Sequence, residues 1–96
     1  MPSFAVHCFQ AKQSFGKPYE EVHEWLDHYF GHARYGARHR RKRHHLAGIA
    51  EVRRKWGAEA AAAARQHIIA DLQMEGWKEG DPFPKDENDY VKLGFF

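Results

Sequence analysis

Phe4, Cys8, Ala11 and Phe15 recur at the three- and four-residue steps that bring side chains onto one face of a helix. With Ser3 as a natural N-cap and Gly16 as a stop, the pattern predicts a first helix over 4–15. His7 falls on the edge of that face, about 60° from its centre at the 100° turned per residue. A second helix is predicted from Pro18, which suits a first helical position, with Glu20 and Glu21 favouring the positive dipole end. Val22, Trp25, Leu26, Tyr29 and Phe30 form its stripe. His23 and Asp27 flank the stripe, Glu24 and His28 look outward, and Gly31 ends or bends the helix.

The third segment, 32–56, is the longest, and Gly36 and Gly48 weaken it locally. Leu46, Ile49, Val52 and Trp56 set its inward side. Projected backwards, that stripe brings His45, Arg38 and, less centrally, His39 and Arg41 toward the interior, where apolar residues are expected. A fourth helix over 58–74, closed by Gly76, carries Ile68, Ile69 and Leu72 on one face. His67 and Asp71 lie nearly opposite, in line with Ala60 and Ala64, a small-residue face suited to close approach of another helix or subunit. From Trp77 the prolines, Gly80 and a series of acids read as a loop or arm. Its apolar end, Tyr90 to Phe96, is expected to dock on this domain or a neighbour. The expected fold is an all-α, compact four-helix bundle-like domain over 1–76 with an irregular C-terminal arm over 77–96.

Composition fits that picture. Three Trp, four Tyr and seven Phe in 96 residues supply core for a single domain, and nothing suggests a disordered chain. A formal charge of +2 implies no partner, but its distribution does. Arg34, Arg38, Arg40, Arg41, Lys42 and Arg43 crowd together with no acid between them, and could meet phosphates or the acids of this same fold. Cys8 is the sole cysteine, which excludes a disulfide framework and a thiolate cage, so any metal would be held by nitrogen and oxygen. No apolar run approaches the roughly twenty residues of a spanning helix, and no leader pattern is visible. A soluble, cytoplasmic protein without membrane partners is expected.

The histidines are patterned. His23/Asp27 and His67/Asp71 are spaced by four, and His44 and His45 are adjacent, with His39 upstream. A spacing of four on a helix lets imidazole and carboxylate share an ion, or lets one orient the other. Adjacent helical residues diverge by about 100°, so one of His44 and His45 can be a ligand while the other packs or hydrogen-bonds. The ordered elements His7, Gly16-Lys17-Pro18, His23-Glu24-Trp25, Arg38-His39-Arg40, His44-His45 and Gln66-His67 with Asp71-Leu72 resemble a family of short, uncharacterised, His-rich prokaryotic and phage proteins. The resemblance spans roughly residues 4–72. It implies that His7, Arg38, His39, His44, His45, His67 and Asp71 belong to one constellation.

Three functional readings follow. In the first, His7, His39, His44, His45, His67 and Asp71 supply ligands for a divalent metal, zinc foremost. An enzymatic form would hydrolyse a phosphate ester held by Arg38 and Arg41, with Asp71 or Asp27 as base. Neither the His-Asp doublet of metal-dependent phosphohydrolases nor the His-Glu-x-x-His of zinc peptidases is present, so enzyme status stays open. In the second, Arg34, Arg40, Arg41, Lys42 and Arg43 bind nucleic acid. In the third, the Ala60/Ala64 face and the Phe95-Phe96 end build a homo-oligomer.

Overall fold

A computed structural model describes residues 4–28 and 42–94 of the chain. Five helices are present among them: α1 (Phe4–Phe15), α2 (Glu20–Leu26), α3 (Leu46–Trp56), α4 (Ala58–Met74) and α5 (Glu87–Lys92). The architecture is all-α, and no described residue lies in a strand. Ser3, Tyr29 to Arg41, Phe95 and Phe96 fall outside the described residues, and with them the predicted first half of the third helix.

Helix α4 is the centre, with α1, α2 and α3 all packed against it. Its composition explains why. Ala60, Ala61, Ala63 and Ala64 are buried and let α3 approach closely, while Ile68 and Leu72 fill the space one to two turns on. The apolar core joins these to Val22 and Leu26 of α2, Val52 of α3, and Trp77 and Tyr90 of the C-terminal segment. Helix α4 ends where a Schellman closure forms. Trp77 N–H donates to Leu72 O at 3.0 Å and Gly76 N–H to Gln73 O at 3.1 Å, with Gly76 at φ 96°. That left-handed position favours glycine.

The inward faces differ from those the apolar pattern predicts. On α1 the buried line is His7 and Ala11, whereas Phe4 is exposed. On α3 it is Gly48 and Val52, with Leu46 and Trp56 exposed and Ile49 only partly covered. The reason is that α1 covers a polar cluster rather than an apolar one, and α3 needs small residues where the chain doubles back. Gly48 is not a weak point inside a long helix. It sits in the first turn of α3, where a Cβ would stand 2.0 Å from the carbonyl oxygen of Arg43.

The segment after Gly76 packs on the same unit. Trp77 Nε1–H donates to Pro82 O at 3.1 Å, and Pro84 and Lys85 carbonyls accept from the first two amides of α3, Leu46 and Ala47, at 3.0 and 2.9 Å. The arm satisfies helix-terminal donors that would otherwise need water. Its end is helical rather than irregular. Asp86 accepts from Asp89 N–H at 2.8 Å and caps α5, whose Tyr90 is fully buried.

Two substitutions test this packing. Leu72→Ala should lower unfolding free energy by about 2–5 kcal/mol, a large share of what a domain of this size has. Gly48→Ala, which removes nothing, should cost on the order of 1–3 kcal/mol because backbone must shift to admit a methyl. Urea unfolding midpoints check both. An unchanged midpoint for Gly48→Ala would mean that the turn before α3 runs elsewhere.

Candidate metal centre

Four separate segments deliver polar side chains to one buried point. Helix α1 brings His7; α2 brings His23 and, at its C-cap, Asp27; α4 brings His67 and Asp71. The turn entering α3 brings His44, and its neighbours fix it. On one side the Arg43 guanidinium donates to Trp25 O at 2.8 Å and lies 4.0 Å from the Trp25 ring centroid. On the other, His45 caps α3, accepting from Gly48 N–H at 3.1 Å through Nδ1 and donating from Nε2 to Lys42 O at 3.2 Å. Held at both ends, His44 is turned fully inward.

Asp27, His44, His67 and Asp71 each offer one ligand atom, all within 4.8 Å of one another, and this cluster could hold a metal ion. His44 Nε2 lies 3.0 Å from Asp71 Oδ2 and 3.5 Å from Asp27 Oδ1. His67 Nε2 lies 3.2 and 3.5 Å from the same two oxygens. Those are the separations of ligands around one ion, since a tetrahedron with bonds of about 2.1 Å has edges of about 3.4 Å. The rings agree: the His44 and His67 centroids are 5.0 Å apart with planes at 66°. Two imidazoles at the tetrahedral angle, each centred roughly 3 Å from a shared ion, would be about 5 Å apart.

The hydrogen-bond chain behind His67 supplies a second argument. Pro18 O can only accept, so His23 Nε2, at 2.9 Å, donates to it. A neutral His23 then carries its lone pair on Nδ1, which lies 2.9 Å from His67 Nδ1. His67 Nδ1 must therefore donate, and a neutral His67 turns the lone pair of Nε2 toward the Asp27 and Asp71 oxygens. It aligns a hydrogen bond with neither. Lone pairs facing carboxylates in a buried site repel unless a proton or a metal cation stands between them.

The protonation preferences have the same origin. Burial, together with the nearby His67 and His7 rings, pushes His23 down to about 4. Burial also brings His44 down to about 4, against the pull of its hydrogen bond to Asp71. Burial disfavours charge on His67 too, but the Asp27 and Asp71 carboxylates outweigh it and raise its pKa. Burial alone would raise Asp71; contacts with His44, His67 and His7 reverse that and hold the carboxyl well below its ordinary range. A proton on His67 is thus favoured by the two carboxylates beside it.

Of the residues the sequence put forward, His7, His44, His67 and Asp71 come together. His7 does so beside the ligand set: it stacks on His67 with centroids 3.6 Å apart and planes at 13°, its Nε2 3.4 Å from Asp71 Oδ1. Rings sharing an ion splay away from it, and a 3.6 Å stack would require an angle of only about 70° at the ion. His45 stands apart, both ring nitrogens committed to backbone. Lys42 and Arg43, counted among nucleic-acid contacts, are turned onto the protein, Lys42 pairing with Glu87 at 3.4 Å. Arg34, Arg38, His39, Arg40 and Arg41 lie outside the described residues. His23 and Asp27, whose spacing of four matches that of His67 and Asp71, also join the cluster, although neither is among the expected ligands and Asp27 is expected only as a base. Comparison with protein-family models, curated proteins and solved structures returns no significant match.

The pKa directions set the pH dependence of the metal-free protein. His23 and His44 have depressed values, so their contribution is complete above the unfolded histidine value of about 6.5 and is lost as pH falls toward 4. His67 is raised, so its contribution is complete below about 6.5 and is lost as pH rises through its folded value. Thermal melts in EDTA should therefore show a maximum near pH 6–7, a steep acid limb and a shallow alkaline one. A flat profile from pH 6.5 to 4 would contradict neutral, buried His23 and His44.

Proposed function

We propose that the protein binds a single divalent first-row metal ion, zinc foremost, through His44 Nε2, His67 Nε2, Asp27 and Asp71. The observation that carries this reading is the convergence of His67 Nε2 with two carboxylates at 3.2–3.5 Å in a largely buried cluster. Two imidazoles and two carboxylates without thiolate suit zinc and, by softness, manganese or iron, rather than copper(I). Because the ligands come from four points along the chain, the ion would also cross-link α2, the α3 entry and α4.

Hydrolysis of a phosphate ester is the second reading, and Asp27 favours it. Its side chain is 22% exposed while those of His44, His67 and Asp71 are at most 1%, so water can reach the site on that side. A bound ion would polarise a phosphoryl oxygen and lower the pKa of water. Asp27, as the ligand nearest solvent, would then be placed to accept a proton.

Protein purified without a tag or chelating column should contain close to one ion per chain. EDTA should lower its melting temperature and added zinc restore it. His67→Ala and Asp71→Ala should abolish binding, and with Asp71→Ala the loss of the central carboxylate should also reduce metal-free stability by about 3–5 kcal/mol. Protein that is metal-free as isolated, and that neither binds zinc, manganese or iron(II) nor changes its melting temperature with them, overturns the reading. For the hydrolytic reading, a chromogenic phosphate monoester should be turned over by loaded wild type and not by His67→Ala; equal rates remove it.

A further inference from the structure

We infer that His23 is a positioning residue for the metal site, an imidazole that fixes the tautomer of the ligand His67 and so commits Nε2 of His67 to the ion. The inference rests on the metal reading above and adds a residue that the ligand set does not include. Histidine ligands commonly donate their second N–H to a carboxylate, a backbone carbonyl or water, and that partner holds both ring orientation and tautomer. In this chain no carboxylate occupies the place. The atom 2.9 Å from His67 Nδ1 is Nδ1 of His23, and 2.9 Å from the far side of the His23 ring is Pro18 O.

For a neutral His23 the order of donors along this chain is forced. A carbonyl cannot donate, so the His23 proton lies on Nε2, its lone pair on Nδ1, and the His67 proton on Nδ1. Reversing any link would set two donors or two acceptors 2.9 Å apart in a buried space. The imidazole also does what a carboxylate could not do here. It brings no net negative charge to a cluster that already contains Asp27 and Asp71, so its desolvation is cheaper. The chain is anchored at Pro18, directly before Tyr19, which caps α2 from a left-handed conformation at φ 53° and whose hydroxyl donates to Glu59 of α4. The carbonyl that ends the chain is thus fixed to the same helix that carries His67. Packing holds the rings in place: the His23 and His67 rings lie 5.1 Å apart at 20°, and Phe4 meets the edge of His23 at 6.3 Å.

The test compares zinc affinity of wild type, His23→Leu and His23→Asn by competition with a chromophoric chelator, alongside metal-free urea midpoints. Leucine fills the space but cannot accept from His67. Asparagine places Oδ1 where Nδ1 was and can. His23→Leu should weaken zinc binding by about tenfold to a hundredfold, and His23→Asn should recover most of that loss. In 15N-labelled, zinc-loaded wild type, the proton on His67 should reside on Nδ1 and be protected from exchange, with that protection lost in His23→Leu. Wild-type affinity in His23→Leu, equal losses in the leucine and asparagine variants, or a His67 proton on Nε2 would overturn the inference while leaving the metal reading intact. Failure of the unaltered protein to bind zinc would overturn both.

Discussion

A carboxylate without solvent contact has to be answered, and the structure is organised around answering Asp71. Its two oxygens meet His7 at 3.4 Å on one side and His44 and His67 at 3.0 and 3.2 Å on the other. Left alone, a buried carboxylate would be neutralised or would open the fold. Each partner comes from a different segment, so satisfying Asp71 fixes where α1, the α3 entry and α4 lie relative to one another. Removing one partner costs more than the pair contributes, because what remains is an unanswered charge.

This gives α4 two interiors. Ile68 and Leu72 face an apolar core with Val22, Leu26, Val52 and Tyr90, while His67 and Asp71, one residue earlier in each pair, face the polar cluster. The two lie side by side on one broad buried face, so α4 is amphipathic with an inward side that is part apolar and part polar. Small residues at Ala60, Ala63 and Ala64 go with that broad buried face, while Ala62, Arg65 and Gln73 lie exposed on the other side of the helix. The C-terminal segment then completes the apolar side with Trp77 and Tyr90 and caps the N-terminus of α3 with its carbonyls.

Helix positions and stops were legible because they depend on local chemistry. Gly16 and Gly76 end helices where glycine is expected to, and the alignment of His67/Asp71 with Ala60/Ala64 identified a face that close neighbours cover. That one of His44 and His45 turns to the cluster and the other hydrogen-bonds follows from divergence along the chain, but the stripe pointed to His45, whereas His44 turns to the cluster and His45 is the N-cap of α3. What the pattern misplaced has one cause. Reading periodicity assumes that the inward face is the apolar one. On α1 this put Phe4 inside and His7 at the edge, and on α2 it put His23 and Asp27 on the flanks of the apolar stripe. Both helices bury polar residues because they face Asp71 and its partners. Two i,i+4 His-Asp pairs in a chain of this length were the available signal, and they identify the site when taken together. On α3, Leu46 and Trp56 are exposed because Gly48, not a large apolar residue, permits the close turn at Arg43.

The same geometry bears on how metal and fold are related. In a small zinc finger the ligands have nothing else to hold them, and without the ion the chain unfolds. Here the lone pair that would meet the ion can take a proton, and the Asp27 and Asp71 carboxylates that would share the ion favour that proton on His67. The cluster is therefore compensated in either state, by proton or by metal, and the helices that carry it also share an independent apolar core. An ion would displace a proton from a site already assembled, so its contribution to stability would be that of a ligand binding a folded protein. The gain from such an arrangement lies in geometry: little reorganisation is needed at His44, His67 or Asp71, and the remaining freedom is concentrated at Asp27, the ligand with solvent beside it.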